Sequence, residues 1–168
     1  MQIHDLKEAP IAAEIHGISD RASAIVATSY LDTKLTSAIK GQLVEDRDTL
    51  NKMFKPNGPL GPLGVKADIG FLLRIYSKET RNEIMTLAGI RNLFAHWEEP
   101  TTFGNRDIRL KCEVLTLPER VFGHIPGHEA IKRPFDEATA KKQFIESVSI
   151  ASTFLNHAAK HPESFARI

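Results

Sequence analysis

Helical periodicity is the feature that most constrains the fold of this 168-residue chain. Apolar residues recur every three to four positions in several segments, and no segment sustains the two-residue alternation of a half-buried strand. The clearest periodic segments span residues 19–43, 64–76, 78–96 and 136–161, and a weaker one spans 106–115. The sequence therefore predicts an all-α fold. We expect one helical domain over residues 1–168, a bundle of four to five main helices with a long loop excursion between the last two.

Local signals mark where these helices begin and end. Ser19, Ser77 and Asp136 precede periodic segments, and their short side chains can accept hydrogen bonds from the free N–H groups of a first turn. Pro162 is expected to stop the last helix, because proline cannot donate the backbone hydrogen bond. The apolar stripe predicted for the first helix comprises Ala24, Leu31, Leu35 and Ala38, and that of the second comprises Val65, Phe71, Leu72 and Ile75.

Composition excludes several classes of protein. Apolar residues make up 42% and charged residues 26%, as in ordinary soluble domains. No apolar run approaches the roughly 20 residues that a membrane helix needs. The amino-terminal "MQIHDLKEAP" has no apolar core of signal-peptide length, and one cysteine cannot form an internal disulfide. We therefore expect a cytoplasmic protein without a membrane partner.

The charge balance bears on nucleic-acid binding. Lys and Arg number 22 against 21 Asp and Glu, a net charge of +1, and no basic run is longer than Lys141–Lys142. Proteins that neutralise many DNA phosphates usually present a basic patch. The chain also shows no helix-turn-helix with a basic recognition helix. Direct DNA binding therefore has no support from composition.

Two loops are candidate ligand sites. "PNGPLGPLG" at 56–64 matches no phosphate-binding glycine motif, and we interpret it as a turn that leads into the second helix. In the loop at 118–134, His124 and His128 have a metal-ligand spacing for a helix, with Glu129 beside them. Pro126 and Gly127 lie between the two histidines and argue against a helix. We expect no metal site and no cofactor.

Charged residues fall on helix faces that should be apolar. At about 100° per residue, Arg91 lies within the apolar stripe of the 78–96 helix, and Asp68 lies within that of the second helix. Arg21 and Asp32 share an arc of the first helix with apolar side chains. Burying an unpaired charge costs several kcal/mol, so such groups should neutralise one another. We predict one buried polar network of Arg21, Asp32, Asp68 and Arg91.

The edge of this network has two interpretations. Asn92 and His96 are four residues apart and share one helix face beside Arg91. The network can be purely structural, fixing how the helices dock. Alternatively, Arg91, Asn92 and His96 border a polar cleft that meets a ligand or RNA. The residues alone do not decide between the two.

Three blocks of sequence resemble a known family. "SDRASAIVATSYLD", "GPLGPLGVKADIGFLLRIYS" and "IRNLFAHWEEPTTF" occur in the order and spacing of the mannitol operon repressor family. The resemblance covers roughly residues 14–120, and the helix at 136–161 fits as its continuation. It implies an all-helical fold and a bacterial transcriptional regulator of hexitol uptake. Because the chain lacks a basic recognition helix, we expect such a regulator to act through a homo-oligomer or a protein partner.

A second resemblance is to the HEPN superfamily of helical domains. Arg91, Asn92 and His96 match its pattern of Arg, a polar residue and a later His at a helix end. Active members are metal-independent ribonucleases in which His acts as base on a ribose 2′-hydroxyl and Arg holds the scissile phosphate. Their sites form across a dimer. This resemblance implies an endoribonuclease or an RNA-binding domain.

Three hypotheses follow. The first is a non-enzymatic transcriptional regulator of the mannitol operon repressor type, and we favour it. The second is a HEPN-type ribonuclease or RNA-binding domain that uses Arg91, Asn92 and His96. The third is an interaction module whose polar cleft is only structural. Replacement of His96 by Ala distinguishes them, because a catalytic His is needed for RNA cleavage and a structural one for stability.

Overall fold

The structure, a computed structural model, describes residues 17–125 and 133–161. These residues form seven helices and no strand, which confirms the predicted all-α bundle. The helices are α1 (Asp20–Lys40), α2 (Arg47–Phe54), α3 (Leu63–Leu72), α4 (Lys78–His96), α5 (Arg106–Glu113), α6 (Leu117–Phe122) and α7 (Glu137–Lys160).

Helix α7 lies at the centre of the bundle. All six residues from 147 to 152 are buried, so this stretch of the helix is covered on every side. Helix α1 packs along α7, α4 packs on α1, and α3 fits against both α1 and α4. Helices α5 and α6 cover α7 from a further side. The rings of Phe94, Phe103 and Phe144 meet in the core, with successive centroids 4.8 and 5.3 Å apart.

The predicted N-caps are confirmed. Ser19 accepts a hydrogen bond from the Ala22 N–H, Ser77 one from Thr80, and Asp136 one from Thr139. Each bond satisfies a backbone donor that the first helical turn leaves free. The stripe of Ala24, Leu31, Leu35 and Ala38 is buried as predicted, and so are Ile108, Cys112 and Leu115 on the weaker segment.

The predicted apolar face of α3 is only partly right, because Ile75 is buried and Phe71 packs against the core, whereas the other two residues of the stripe are exposed. Leu72 is 70% exposed and Val65 38%, whereas Lys66, Ala67 and Gly70 face inward. The helix turns this face to the bundle, where Tyr76 packs against its small residues Ala67 and Gly70. A Cβ at Gly70 would collide with the Tyr76 hydroxyl, which donates to the Ala67 carbonyl at 2.9 Å. The helix also ends earlier than predicted, at Leu72, and Arg74 follows in the left-handed region at φ 61°.

Two short helices were not predicted. Helix α2 has no buried residue, so it carries no apolar periodicity to detect. Helix α6 occupies the start of the segment 118–134 that was expected to be a loop. His124 is exposed just after it. His128 and Glu129 lie outside the described residues. Residues 1–16, the rest of 126–132, and 162–168 with Pro162 also lie outside them. Among the described helices, none combines the length and apolarity that a membrane crossing demands.

Candidate functional site

A polar cavity lies where α1, α3 and α4 meet. It is a cleft of about 550 Å³, and we call it the Arg91 cleft. Its lining residues are Thr28, Ser29, Asp32 and Thr33 of α1, Gly61–Gly64 at the start of α3, and Ala88, Arg91 and Asn92 of α4. Two residues predicted to form the polar network, Asp32 and Arg91, therefore face one cavity.

Helix α1 contributes oxygen atoms to this cleft. The hydroxyls of Thr28, Ser29 and Thr33 each donate to a backbone carbonyl four residues earlier, at 2.7, 2.8 and 3.0 Å. A hydroxyl has one proton, so each of these three oxygens has only lone pairs left for anything else. Together with the Asp32 carboxylate, they make the α1 wall a row of hydrogen-bond acceptors.

The Asp32 carboxylate is paired from within the protein. Lys66 Nζ lies 2.5 Å from Oδ1 and 2.7 Å from Oδ2 of Asp32, and it also donates to Thr36 Oγ1 at 3.2 Å. Lys66 is only 3% exposed, so its ammonium is shielded from water, whereas the Asp32 carboxylate is partly exposed. Because a buried ammonium needs a counter-charge, this lysine holds Asp32 in place and cancels its charge.

Arg91 and Asn92 contribute donors. Arg91 is half-buried, and its Nη1 donates to Asn92 Oδ1 at 3.1 Å. Within the described ranges, no carboxylate forms an ion pair with Arg91. A guanidinium carries five N–H donors, and the bond to Asn92 uses one of them. Most of the donors therefore have no partner in these ranges. The oxygen of the Asn92 amide accepts this bond, and its NH₂ group adds two further donors to the residues that line the cleft.

The first turn of α3 completes the cleft. Pro62 precedes the helix and provides no side-chain cap, so the N–H groups that follow it receive no capping acceptor from that residue. The turn before the helix is tight, because a Cβ at Gly61 would collide with the Pro56 carbonyl oxygen. Glycine at this position lets the chain bring the positive end of α3 to the cleft.

The pairing predicted for the four-residue network is wrong. Asp32 pairs with Lys66, as described above, and not with an arginine. Asp68 lies on the half-exposed outer side of α3 and pairs with Arg81, whose Nε and Nη2 lie 2.7 and 2.5 Å from Oδ1. The helical wheel gave the angle of each side chain, but not which cation of the neighbouring helix would lie at the same height.

Arg21 binds the chain just after the carboxyl end of α4 and forms no ion pair with Asp32 or Asp68. Its Nη2 donates to the backbone carbonyls of Trp97 and Glu99, both at 2.7 Å. These carbonyls follow the last turn of α4, where oxygen atoms lack intrahelical donors. Arg21 therefore holds the chain as it leaves the helix. His96, the last residue of α4, is exposed and is not among the residues that line the Arg91 cleft.

Sequence reasoning missed two buried charged residues. Glu83 is 5% exposed, and on the helical wheel it falls beside Leu87 and Phe94, so the signal was present. Lys66 gave a weaker signal, since it stands opposite the stripe predicted for α3.

No group of three or more His, Cys, Asp or Glu is arranged to hold a metal ion in residues 17–125 and 133–161.

Comparison with known proteins identifies the fold. No protein-family model and no curated protein matches the chain. The structure is similar to a chain in the X-ray structure of the MtlR-HPr complex from Escherichia coli, with a TM-score of 0.62 and 13% identity. The match covers 91% of this chain and 96% of that one. MtlR is the mannitol operon regulator. The fold implied by the sequence resemblance is therefore confirmed.

Proposed function

We propose that this chain is a non-enzymatic transcriptional regulator of the mannitol operon repressor type that acts by binding a protein partner and by forming homo-oligomers. The observation that carries the proposal is the fold shared with a chain of the MtlR-HPr complex over 91% of the sequence. The three sequence blocks that resemble the repressor family lie within the same fold. Proteins of one fold can differ in function, so binding must be tested directly.

A surface suited to a partner is present on α3. We call Val65 and Leu72 of α3, with Met85 of α4, the α3 outer face; all three are exposed apolar side chains. Leu72 also borders a groove of about 540 Å³ with Phe71, Arg74, Tyr76 and Ser77. Exposed apolar side chains grouped beside a groove are typical of protein-binding surfaces. We assign the partner contact to this face.

Contact with a protein explains regulation better than contact with DNA alone. The net charge of +1 provides no excess of cations over the chain. Much of the affinity for duplex DNA comes from Lys and Arg that neutralise phosphates. Exposed apolar side chains beside a carboxylate that is already paired, Asp68 with Arg81, instead favour contact with a protein surface, from a second copy or from a different chain.

The test is binding to HPr from Escherichia coli, measured by isothermal titration calorimetry. We expect saturable binding by the wild type, and at least tenfold weaker binding by Leu72→Glu, because a charge is placed in a desolvated contact. The matched control is Val114→Glu at the residue that follows α5, which changes another strongly exposed apolar side chain. Absence of binding at millimolar concentrations, or equal weakening by the two variants, would contradict the proposed partner or the proposed face.

Two further measurements test the remaining parts of the proposal. Analytical ultracentrifugation should show a mass above 18.7 kDa that depends on concentration; a monomer at all concentrations would contradict oligomerisation. A reporter driven by a mannitol operon promoter should change when the chain is expressed, and Leu72→Glu should reduce that change. An unaffected reporter would contradict the regulatory role.

The ribonuclease hypothesis is tested with RNA. The regulator proposal predicts that total RNA and labelled oligonucleotides stay intact when they are incubated with the protein in EDTA. Cleavage that leaves 2′,3′-cyclic phosphate ends and is lost in His96→Ala would overturn the proposal and identify a HEPN-type nuclease. The position of His96 outside the lining of the Arg91 cleft gives this alternative no additional support.

A further inference from the structure

We propose that the Arg91 cleft binds a small organic anion that also carries hydroxyl groups, with its phosphate or carboxylate on Arg91. This goes beyond the proposed function, because it gives the chain a small-molecule site separate from the α3 outer face. The inference rests on how donors and acceptors divide between the walls of the cleft.

The donor side of the cleft selects an anion. Most N–H groups of the Arg91 guanidinium have no partner in the described part of the chain, and the fork of donors matches a phosphate or carboxylate. Among the described residues that line the cleft, Asp32 carries the one carboxylate, and it is already paired with Lys66 at 2.5–2.7 Å. Arg91 therefore brings a net positive charge to the cavity. The positive end of α3 adds to it, since Leu63 and Gly64 line the same space.

The acceptor side selects hydroxyl groups on the rest of the ligand. Thr28, Ser29 and Thr33 have used their protons on the backbone of α1, so they can only accept. Asp32 adds carboxylate oxygens to the same wall. Inorganic phosphate has only its own P–OH protons to donate to this wall, and a second anionic group would be repelled by the acceptor oxygens. A ligand that is anionic at one end and hydroxylated at the other satisfies both walls.

The size of the cleft agrees with an organic molecule. Its volume of about 550 Å³ falls within the range of roughly 300–1,000 Å³ common for ligand sites. An inorganic anion would leave most of that space to water. Ala88 is an apolar residue of the lining, and its small side chain takes up little of the space available to a ring or a short carbon chain.

The first experiment compares four probes by calorimetry: glucose 6-phosphate, gluconate, glucose and inorganic phosphate. We expect glucose 6-phosphate or gluconate to bind at least tenfold more tightly than either glucose or phosphate. The two anionic sugars distinguish a phosphate-selective from a carboxylate-selective site. If glucose binds as tightly as the anionic probes, Arg91 does not select the charge of the ligand. If inorganic phosphate binds as tightly, the α1 wall does not select hydroxyl groups. Either result, or no binding of any probe at 10 mM, would overturn the proposal.

The second experiment uses matched variants with the tightest probe. Arg91→Gln should weaken binding by about tenfold or more, because it removes the guanidinium charge and its fork of donors and keeps only a shorter, neutral polar side chain. Arg81→Gln is the control, an arginine on the same helix that is paired with Asp68 and lies outside the cleft. Ala88→Leu should block the cleft without changing any charge. Circular dichroism checks that each variant is folded. Unchanged binding in both Arg91→Gln and Ala88→Leu would place the probe elsewhere and overturn the assignment.

Discussion

The Glu83 carboxylate accepts a hydrogen bond from the backbone N–H of Leu117 at 2.9 Å, so a side chain of α4 caps the amino terminus of α6. The same carboxylate accepts from the Thr116 N–H at 3.0 Å and from Ser147 Oγ of α7 at 3.2 Å. Helix α6 has no side-chain cap from Thr116, the residue that precedes it. One buried carboxylate thus ties three helices together.

Removal of this cap should destabilise the bundle. We expect Glu83→Ala to lower the free energy of unfolding by about 2–4 kcal/mol, because it leaves buried donors unsatisfied and opens a cavity. Glu83→Gln keeps an acceptor and should cost less. Urea denaturation followed by circular dichroism measures both. Glu79→Ala, on the exposed side of the same helix, should have a much smaller effect; an equal effect would mean that the capping bonds contribute nothing.

The Lys66–Asp32 pair should show strong coupling. Lys66→Met leaves the Asp32 carboxylate without its cation, and we expect a loss of about 1–3 kcal/mol, less than for a fully buried pair because Asp32 is partly exposed. Asp32→Asn should recover part of that loss when combined with Lys66→Met. A double-mutant cycle in urea gives the coupling energy. Purely additive losses would show that the two charges do not depend on each other.

Arg21 should control the segment that follows α4. We expect Arg21→Gln to cost about 1–2 kcal/mol, since two charge-assisted hydrogen bonds to the Trp97 and Glu99 carbonyls are lost. Amide hydrogen exchange should become faster in residues 97–105. Arg91→Gln serves as the comparison, because Arg91 has no such bond and should leave exchange there unchanged. Equal exchange in the wild type and Arg21→Gln would contradict this role.

Cys112 should be inert in the folded protein. Burial raises the pKa of its thiol to about 12, so very little reactive thiolate is present at pH 8. We expect a thiol reagent such as dithionitrobenzoate to react only as fast as the protein opens, and at once in denaturant. Rapid labelling of the native protein at pH 8 would show that the α5–α7 interface opens far more readily than its packing indicates.

Sequence reasoning succeeded where a structural signal is local. The start of α4 at Lys78 and that of α7 at Glu137 follow from single capping residues, Ser77 and Asp136, whose bonds reach only three positions along the chain. The buried stripe of α1 follows from spacing alone. Helices α2 and α6 lacked such signals: the first buries nothing, and the second is capped by Glu83, which is 34 residues away from Leu117.

The candidate site was also predicted only in part, and the part that was predicted is again the local one. The sequence by itself determined that the chain is helical, that Arg91 and Asp32 lie on helix faces shared with apolar residues, and that Asn92 follows Arg91. Only the tertiary structure decided that Lys66 neutralises Asp32, that Asp68 meets Arg81, and that α3 exposes Leu72. The physical reason is that periodicity defines the angle of a side chain around its own helix, whereas a partner depends on how far each helix slides and turns against its neighbours. Tyr76 settles that rotation for α3 by packing on Gly70, a contact that no helical periodicity encodes.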